Sequence, residues 1–114
     1  MNIDLGPPDL TYFLEALDAV DVRNAFDPDM LVGIESAWKA SNMHVNMFGW
    51  VVALKSGERL YLEMEITDTP GQSPTNLEIT PLAAEQRYPD ELEDAVAWYR
   101  PDHINRYLGL LHSN

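Results

Sequence analysis

Phe48-Gly49-Trp50-Val51-Val52-Ala53-Leu54-Lys55-Ser56-Gly57-Glu58-Arg59-Leu60-Tyr61-Leu62-Glu63-Met64-Glu65-Ile66 is the stretch on which the reading of this chain turns. Phe48, Trp50, Val52 and Leu54 alternate with Gly49, Val51, Ala53 and Lys55; Leu60, Leu62, Met64 and Ile66 alternate with Tyr61, Glu63 and Glu65. A period of two sends successive side chains to opposite faces of a strand, so the stretch predicts a β-hairpin over 48–66. Its register follows from the turn. A two-residue Ser56-Gly57 loop would set Trp50 opposite Glu63 and Leu54 opposite Arg59, mixing the two faces. A three-residue loop, Lys55-Ser56-Gly57 with Gly57 left-handed, sets Leu54 opposite Glu58, Val52 opposite Leu60, Trp50 opposite Leu62 and Phe48 opposite Met64. That register collects the large apolar groups on one face, and a slip of one residue would turn them to water.

Outward from the hairpin, His44–Met47 can extend its first strand backwards. Thr67 to Thr75 is rich in turn formers and predicts a loop. A third strand is expected over Asn76–Thr80, with Leu77 and Ile79 inward and Pro81 ending it. Toward the N-terminus, Leu10, Phe13, Leu14, Leu17 and Val20 recur at helical spacing after Pro7–Asp9, leaving Tyr12 on the opposite side. Asp21 to Asp27 reads as a connection. Asp27-Pro28 is a cap and first-position pair, and Met30, Leu31, Ile34, Ala37 and Trp38 form an apolar stripe at helical spacing. A second helix is therefore expected to stop near Ser41–Asn42, with Glu35 and Lys39 as an outward pair. Beyond the strands, Pro89 opens a helix with Leu92, Ala95, Val96 and Tyr99 inward. Pro101 restarts the pattern with Ile104, Tyr107, Leu108 and Leu111 inward. The expected fold is α+β: a three-stranded antiparallel sheet with two N-terminal and two short C-terminal helices.

The 114 residues suit one globular domain, and 46% apolar with 23% charged residues is an ordinary globular composition. Without an apolar run of membrane length or a secretory leader, a cytoplasmic protein is expected. There is no cysteine, which removes disulfides, thiolate metal sites and a cysteine nucleophile. The formal net charge is −12. Residues 1–57 hold eight acids and three bases, residues 58–114 eleven and four, so the excess is spread through the body and is not a tail. Such a charge repels phosphate backbones and anionic lipid, and direct binding to nucleic acid or membrane is not expected.

Motifs for chemistry are sparse. His44, His103 and His112 form no pair at i,i+3 or i,i+4, so no helix presents a zinc face. Asp102-His103 lies near a helix start, where both side chains point outward. No Gly-x-Ser-x-Gly turn and no phosphate-cradling glycine loop occurs. Glu63 and Glu65 share one strand face and Glu78 can lie across from them. Three such carboxylates could hold a divalent cation, although an amphipathic strand with one wet face makes the same pattern. No cofactor is expected.

The most distinctive local feature follows Pro89. Asp90, Glu91, Glu93 and Asp94 are four acids within five positions, and on a helical projection Trp98 falls beside Glu91 and Asp94. A tryptophan among carboxylates resembles an interface anchor with an electrostatic rim. Val51, Ala53 and Tyr61 make the second hairpin face more apolar than a solvated face needs. The expectation is a non-catalytic, acidic protein-binding domain: an adaptor, chaperone or inhibitor of a basic protein partner, one form being nucleic-acid mimicry. Its contact residues would be Trp98, Asp90, Glu91, Asp94 and Tyr61. Two alternatives are a small metal-dependent enzyme using Glu63, Glu65 and Glu78, and a homodimer closing on the Val51/Ala53/Tyr61 face.

Overall fold

The computed structural model of the chain describes residues 3–4, 10–41, 45–67, 76–92 and 95–106. The hairpin forms in the expected register. Strands β3 (Val45–Leu54) and β4 (Arg59–Thr67) pair with Phe48 opposite Met64, Trp50 opposite Leu62 and Val52 opposite Leu60. At the turn the Leu54 N–H donates to the Glu58 carbonyl at 2.9 Å, and Gly57 takes a φ of 94°, a conformation that a Cβ would strain. Strand β5 (Asn76–Leu82) pairs antiparallel with β4 and runs past the expected end, carrying Pro81 opposite Leu60.

The hydrogen bond at the turn sets the whole ladder. Antiparallel residues alternate between bonding one neighbour and the other, so Leu60, Leu62 and Met64 turn their backbone groups to β3. Arg59, Tyr61, Glu63 and Glu65 turn theirs to β5, opposite Leu82, Thr80, Glu78 and Asn76. Leu77, Ile79 and Pro81 therefore point theirs outward. Pro81 is tolerated because the N–H it lacks would have faced away from the sheet.

The largest correction concerns residues 28–41. Asp27 does cap a turn, accepting from the Asp29 N–H at 2.9 Å, but Pro28–Met30 is a single 3-10 turn. From there Leu31–Ser41 is strand β2, antiparallel to β3. Two register shifts explain the misleading stripe: β2 inserts an extra residue between Leu31 and Gly33 and again between Ile34 and Ser36. Each bulge lengthens the step between core-facing residues from two to three. Leu31, Ile34 and Ala37 thus reach the core at a spacing that imitates a helix. Val32, Gly33 and Ile34 are also poor helix formers. Glu35 and Lys39 do not pair as a helical i,i+4 couple; Glu35 meets Arg59 instead.

With the two-residue strand β1 (Ile3–Asp4) beside the end of β2, the sheet has four long strands and one short one, in the order β1-β2-β3-β4-β5. Two N-terminal helices exist, but they are α1 (Leu10–Asp18) and α2 (Val20–Ala25), the second occupying the expected connection. The chain straightens at Ala19, which puts Val20 at 70% exposure where the helical stripe expected it inward. Phe13, Ala16, Leu17 and Val22 cover one sheet face together with Phe26 and Ile104. Tyr12 belongs there too, stacked on Phe48 at 4.4 Å between ring centroids. Trp50 sits at the centre, edge-on to Phe13 at 5.5 Å and stacked with Phe48 at 5.9 Å.

The first C-terminal helix is not formed as expected. Asp90–Leu92 is one 3-10 turn, and residues 95–99 are turn and extended chain. A short helix gains most of its stability from what it packs on, and here the packing pulls the chain straight: Tyr99 pairs its backbone with Ala37, both bonds at 2.8 Å. Pro101 is buried and is followed by a helical turn over 102–106, with Ile104 fully inside. The expected inward positions Leu10, Tyr107, Leu108 and Leu111 lie where no side chain is described, and the 68–75 part of the expected loop is outside the described residues. Among the described residues no helix is long and apolar enough to cross a membrane.

Candidate functional site

The second sheet face, opposite the helices, is where most of the expected contact residues gather. Glycine at position 49 opens it. On the ladder Gly49 lies between Trp38 and Glu63, and a Cβ there would stand 2.6 Å from both Trp38 Cε2 and the Tyr61 hydroxyl. The bare backbone lets the Trp38 indole lie across the strand. Trp38 Nε1 donates to the Tyr61 hydroxyl at 3.0 Å, and that hydroxyl donates to Glu63 Oε1 at 2.8 Å. Burial pushes the Tyr61 hydroxyl pKa far up, reinforced by the charge of Glu63 and then of Glu78. The phenol therefore stays protonated and acts as donor to the carboxylate.

The cover over this array is the segment after β5. Arg59 holds it in place. Its Nε lies 3.0 Å from both carboxylate oxygens of Glu35 and its Nη2 2.8 Å from Oε1, so one side of the guanidinium binds the bulge of β2. The other side donates to the carbonyls of Ala83 (3.3 Å), Gln86 and Arg87 (3.3 Å). Gln86 in turn accepts from the Ala83 N–H at 3.2 Å and reaches Asp90 at 3.5 Å. This clasp ends at Arg87, the residue directly before Tyr88. Trp98 stacks on Tyr88 at 4.3 Å, stands edge-on to Tyr61 at 6.2 Å, and donates its Nε1–H to the Leu92 carbonyl at 3.1 Å.

Trp98 is thus half-buried, in contact with both Tyr88 and Tyr61, with exposed Asp90 and Glu91 on the turn whose Leu92 carbonyl it bonds. Tyr61 is only 4% exposed and lies beneath Trp98, so it supports the patch from inside and does not present itself to a partner. Val51 is fully buried on the same face, while Ala53 is only partly so. Asp94, with Glu93, lies outside the described residues. Glu63 and Glu78 face each other across β4 and β5, and Glu65 shares their face one step along. Among the described residues no group of three His, Cys, Asp or Glu side chains is arranged to hold a metal ion. His103 is exposed on the last helical turn, while His44 and His112 lie outside the described residues.

Sequence reasoning missed Trp38, Tyr88 and the Glu35–Arg59 pair. One signal was available: a glycine inside a strand of large apolar residues marks close approach of another group, here an indole. The patch can bind by stacking, by apolar contact and by charge. Comparison with protein-family models, with curated proteins and with solved structures gave no match.

Proposed function

We propose that this is an acidic binding domain for a basic protein partner, and that the partner is met at the half-exposed Trp98–Tyr88 stack bordered by Asp90 and Glu91. The observation that carries the reading is that stack. Two partly exposed aromatic rings stack on one another next to the Arg59 clasp, on a chain with a net charge of −12. Rigid aromatic groups give contact area at little entropic cost, while surrounding charges of one sign steer an oppositely charged partner and set salt sensitivity. Asp94 belongs to the same proposed rim.

The test immobilises the full chain and challenges it with a soluble lysate at low and high salt. A basic protein retained at low salt, released by salt, and lost from both Trp98→Ala and the Asp90→Asn/Glu91→Gln double variant supports the reading. Retention of no basic protein at low salt, or equal retention by the variants, refutes it.

A further inference from the structure

We infer that β5 is a strand-addition edge: an extended segment of a basic partner pairs with its outer side, placing lysine or arginine opposite Glu78 and apolar residues opposite Leu77 and Ile79. This rests on the reading of the partner as cationic, and adds how one of its segments is held.

The two edges of the sheet are treated differently. By the alternation set at the hairpin, Ile34, Ala37 and Lys39 of β2 point backbone groups outward, Lys39 at the end that β1 approaches; Ile34 and Ala37 are the central two. Both are occupied: Ala37 by the backbone of Tyr99, and Ile34 by the side-chain amide of Asn105, which accepts from its N–H at 2.7 Å and donates to its carbonyl at 2.8 Å. The N-terminal residues Ile3 and Asp4 pair with the remaining end. Helix α2 packs beside β5, but among the described residues no hydrogen bond takes the outward backbone groups of Leu77 and Ile79. An edge with free N–H and C=O groups is a template for an added strand.

Side chains along β5 specify what fits. Leu77 and Ile79 are half-buried at the margin of the core, so an apolar residue opposite each would complete their cover. Glu78 and Thr80 lie on the second face and are exposed. A strand bonded through Leu77 and Ile79 sets the residue facing Glu78 in a non-bonded pair, where side chains approach most closely. Glu78 already faces Glu63 across the ladder, and like charges directly opposite are unfavourable. A cation added on the far side relieves that repulsion. A second copy of this chain would bring its own Glu78 to the edge, so the same charge that welcomes a basic strand discourages self-pairing.

The full-length protein is titrated with three synthetic probes: an acetylated, amidated seven-residue peptide alternating valine and lysine, its counterpart with glutamate for lysine, and a lysine peptide with proline for the inner valines. Hydrogen exchange at the Leu77 and Ile79 amides reads the site. The lysine–valine peptide is expected to slow exchange at both amides at least about tenfold, while the other two leave it unchanged. In Glu78→Lys, at an exposed position, the preference for the lysine–valine peptide over the glutamate peptide should fall by about fivefold. No binding of the lysine–valine peptide, unchanged exchange at both amides, or an undiminished preference in Glu78→Lys overturns the inference. If the peptide instead perturbs only Trp98 and its neighbours, the edge is refuted while the binding reading stands.

Discussion

Replacing Gly49 with alanine tests the architecture of the second face at its tightest point. The new methyl group would lie 2.6 Å from Trp38 Cε2 and 2.6 Å from the Tyr61 hydroxyl, far inside contact distance for carbon with carbon or oxygen. Neither neighbour is a flexible tail: Trp38 is 2% exposed and Tyr61 4%. The indole must therefore move, and an overpacked core of this kind typically loses about 1–3 kcal/mol. Moving it breaks the 3.0 Å bond from Trp38 Nε1 to Tyr61, worth a further ~1 kcal/mol net. Against this, alanine recovers about 0.5–1 kcal/mol of the entropic cost of glycine in a strand. The net loss expected is about 1–3.5 kcal/mol, a substantial part of the roughly 5–15 kcal/mol that holds a domain together. Urea denaturation followed by far-ultraviolet circular dichroism measures it. A cycle with Trp38→Leu separates the clash from any general effect on the strand: with the indole gone, Gly49→Ala should cost at least ~1 kcal/mol less than in the parent. A neutral or stabilising Gly49→Ala, or strict additivity with Trp38→Leu, would refute the close approach of the indole to the backbone.

Two further outcomes follow from burial. Trp50→Ala removes a fully buried ring from between Phe13 and Phe48 and should cost about 3–5 kcal/mol, whereas Trp98→Ala, at a half-exposed ring, should cost about 2 kcal/mol; equal losses in urea titrations would make Trp98 a core residue and remove it from the proposed patch. Tyr61 gives the pH dependence: its folded pKa is raised, so above the ordinary tyrosine value near 10 the unfolded chain releases a proton that the native state keeps. That contribution is whole below about pH 10 and declines above it by about 1.4 kcal/mol per pH unit, a slope that Tyr61→Phe should reduce by one proton's worth in stability curves between pH 9.5 and 11.

The hairpin was legible because everything that decides it is local. A period of two, one glycine able to take positive φ, and the requirement that Phe48, Trp50, Val52 and Leu54 share a face with Leu60, Leu62 and Met64 leave one register. The third strand was legible on the same grounds, with its end misjudged because the meaning of Pro81 depends on which way its backbone faces. Strand β2 was not legible. Its two bulges convert a period of two into steps of three, and a bulge forms only where the neighbouring strand calls for it. The acidic stretch after Pro89 misled for a related reason: its residues read as a helix until Arg59, Tyr88 and the edge of β2 draw the chain out straight.

The site divides in the same way. Trp98 with Asp90 and Glu91 stood out on composition, since a tryptophan among carboxylates is unusual along any chain. That Tyr61 supports them from beneath, that Arg59 and Glu35 fasten the cover, and that Gly49 makes room for Trp38 depended on pairings between residues 10 or more positions apart.

By itself, the order of residues determined the hairpin and its register, the α+β character and the strongly negative charge, because each follows from nearest-neighbour periodicity or simple summation. Only the tertiary structure decided that residues 31–41 are a strand, that Trp98 closes over Tyr61 on the second sheet face, and that Ile34 and Ala37 of one edge strand are bonded within the chain while the other edge presents Leu77, Glu78 and Ile79. Those choices rest on backbone hydrogen bonds between distant segments, and a backbone group carries no mark in the sequence of which partner will claim it.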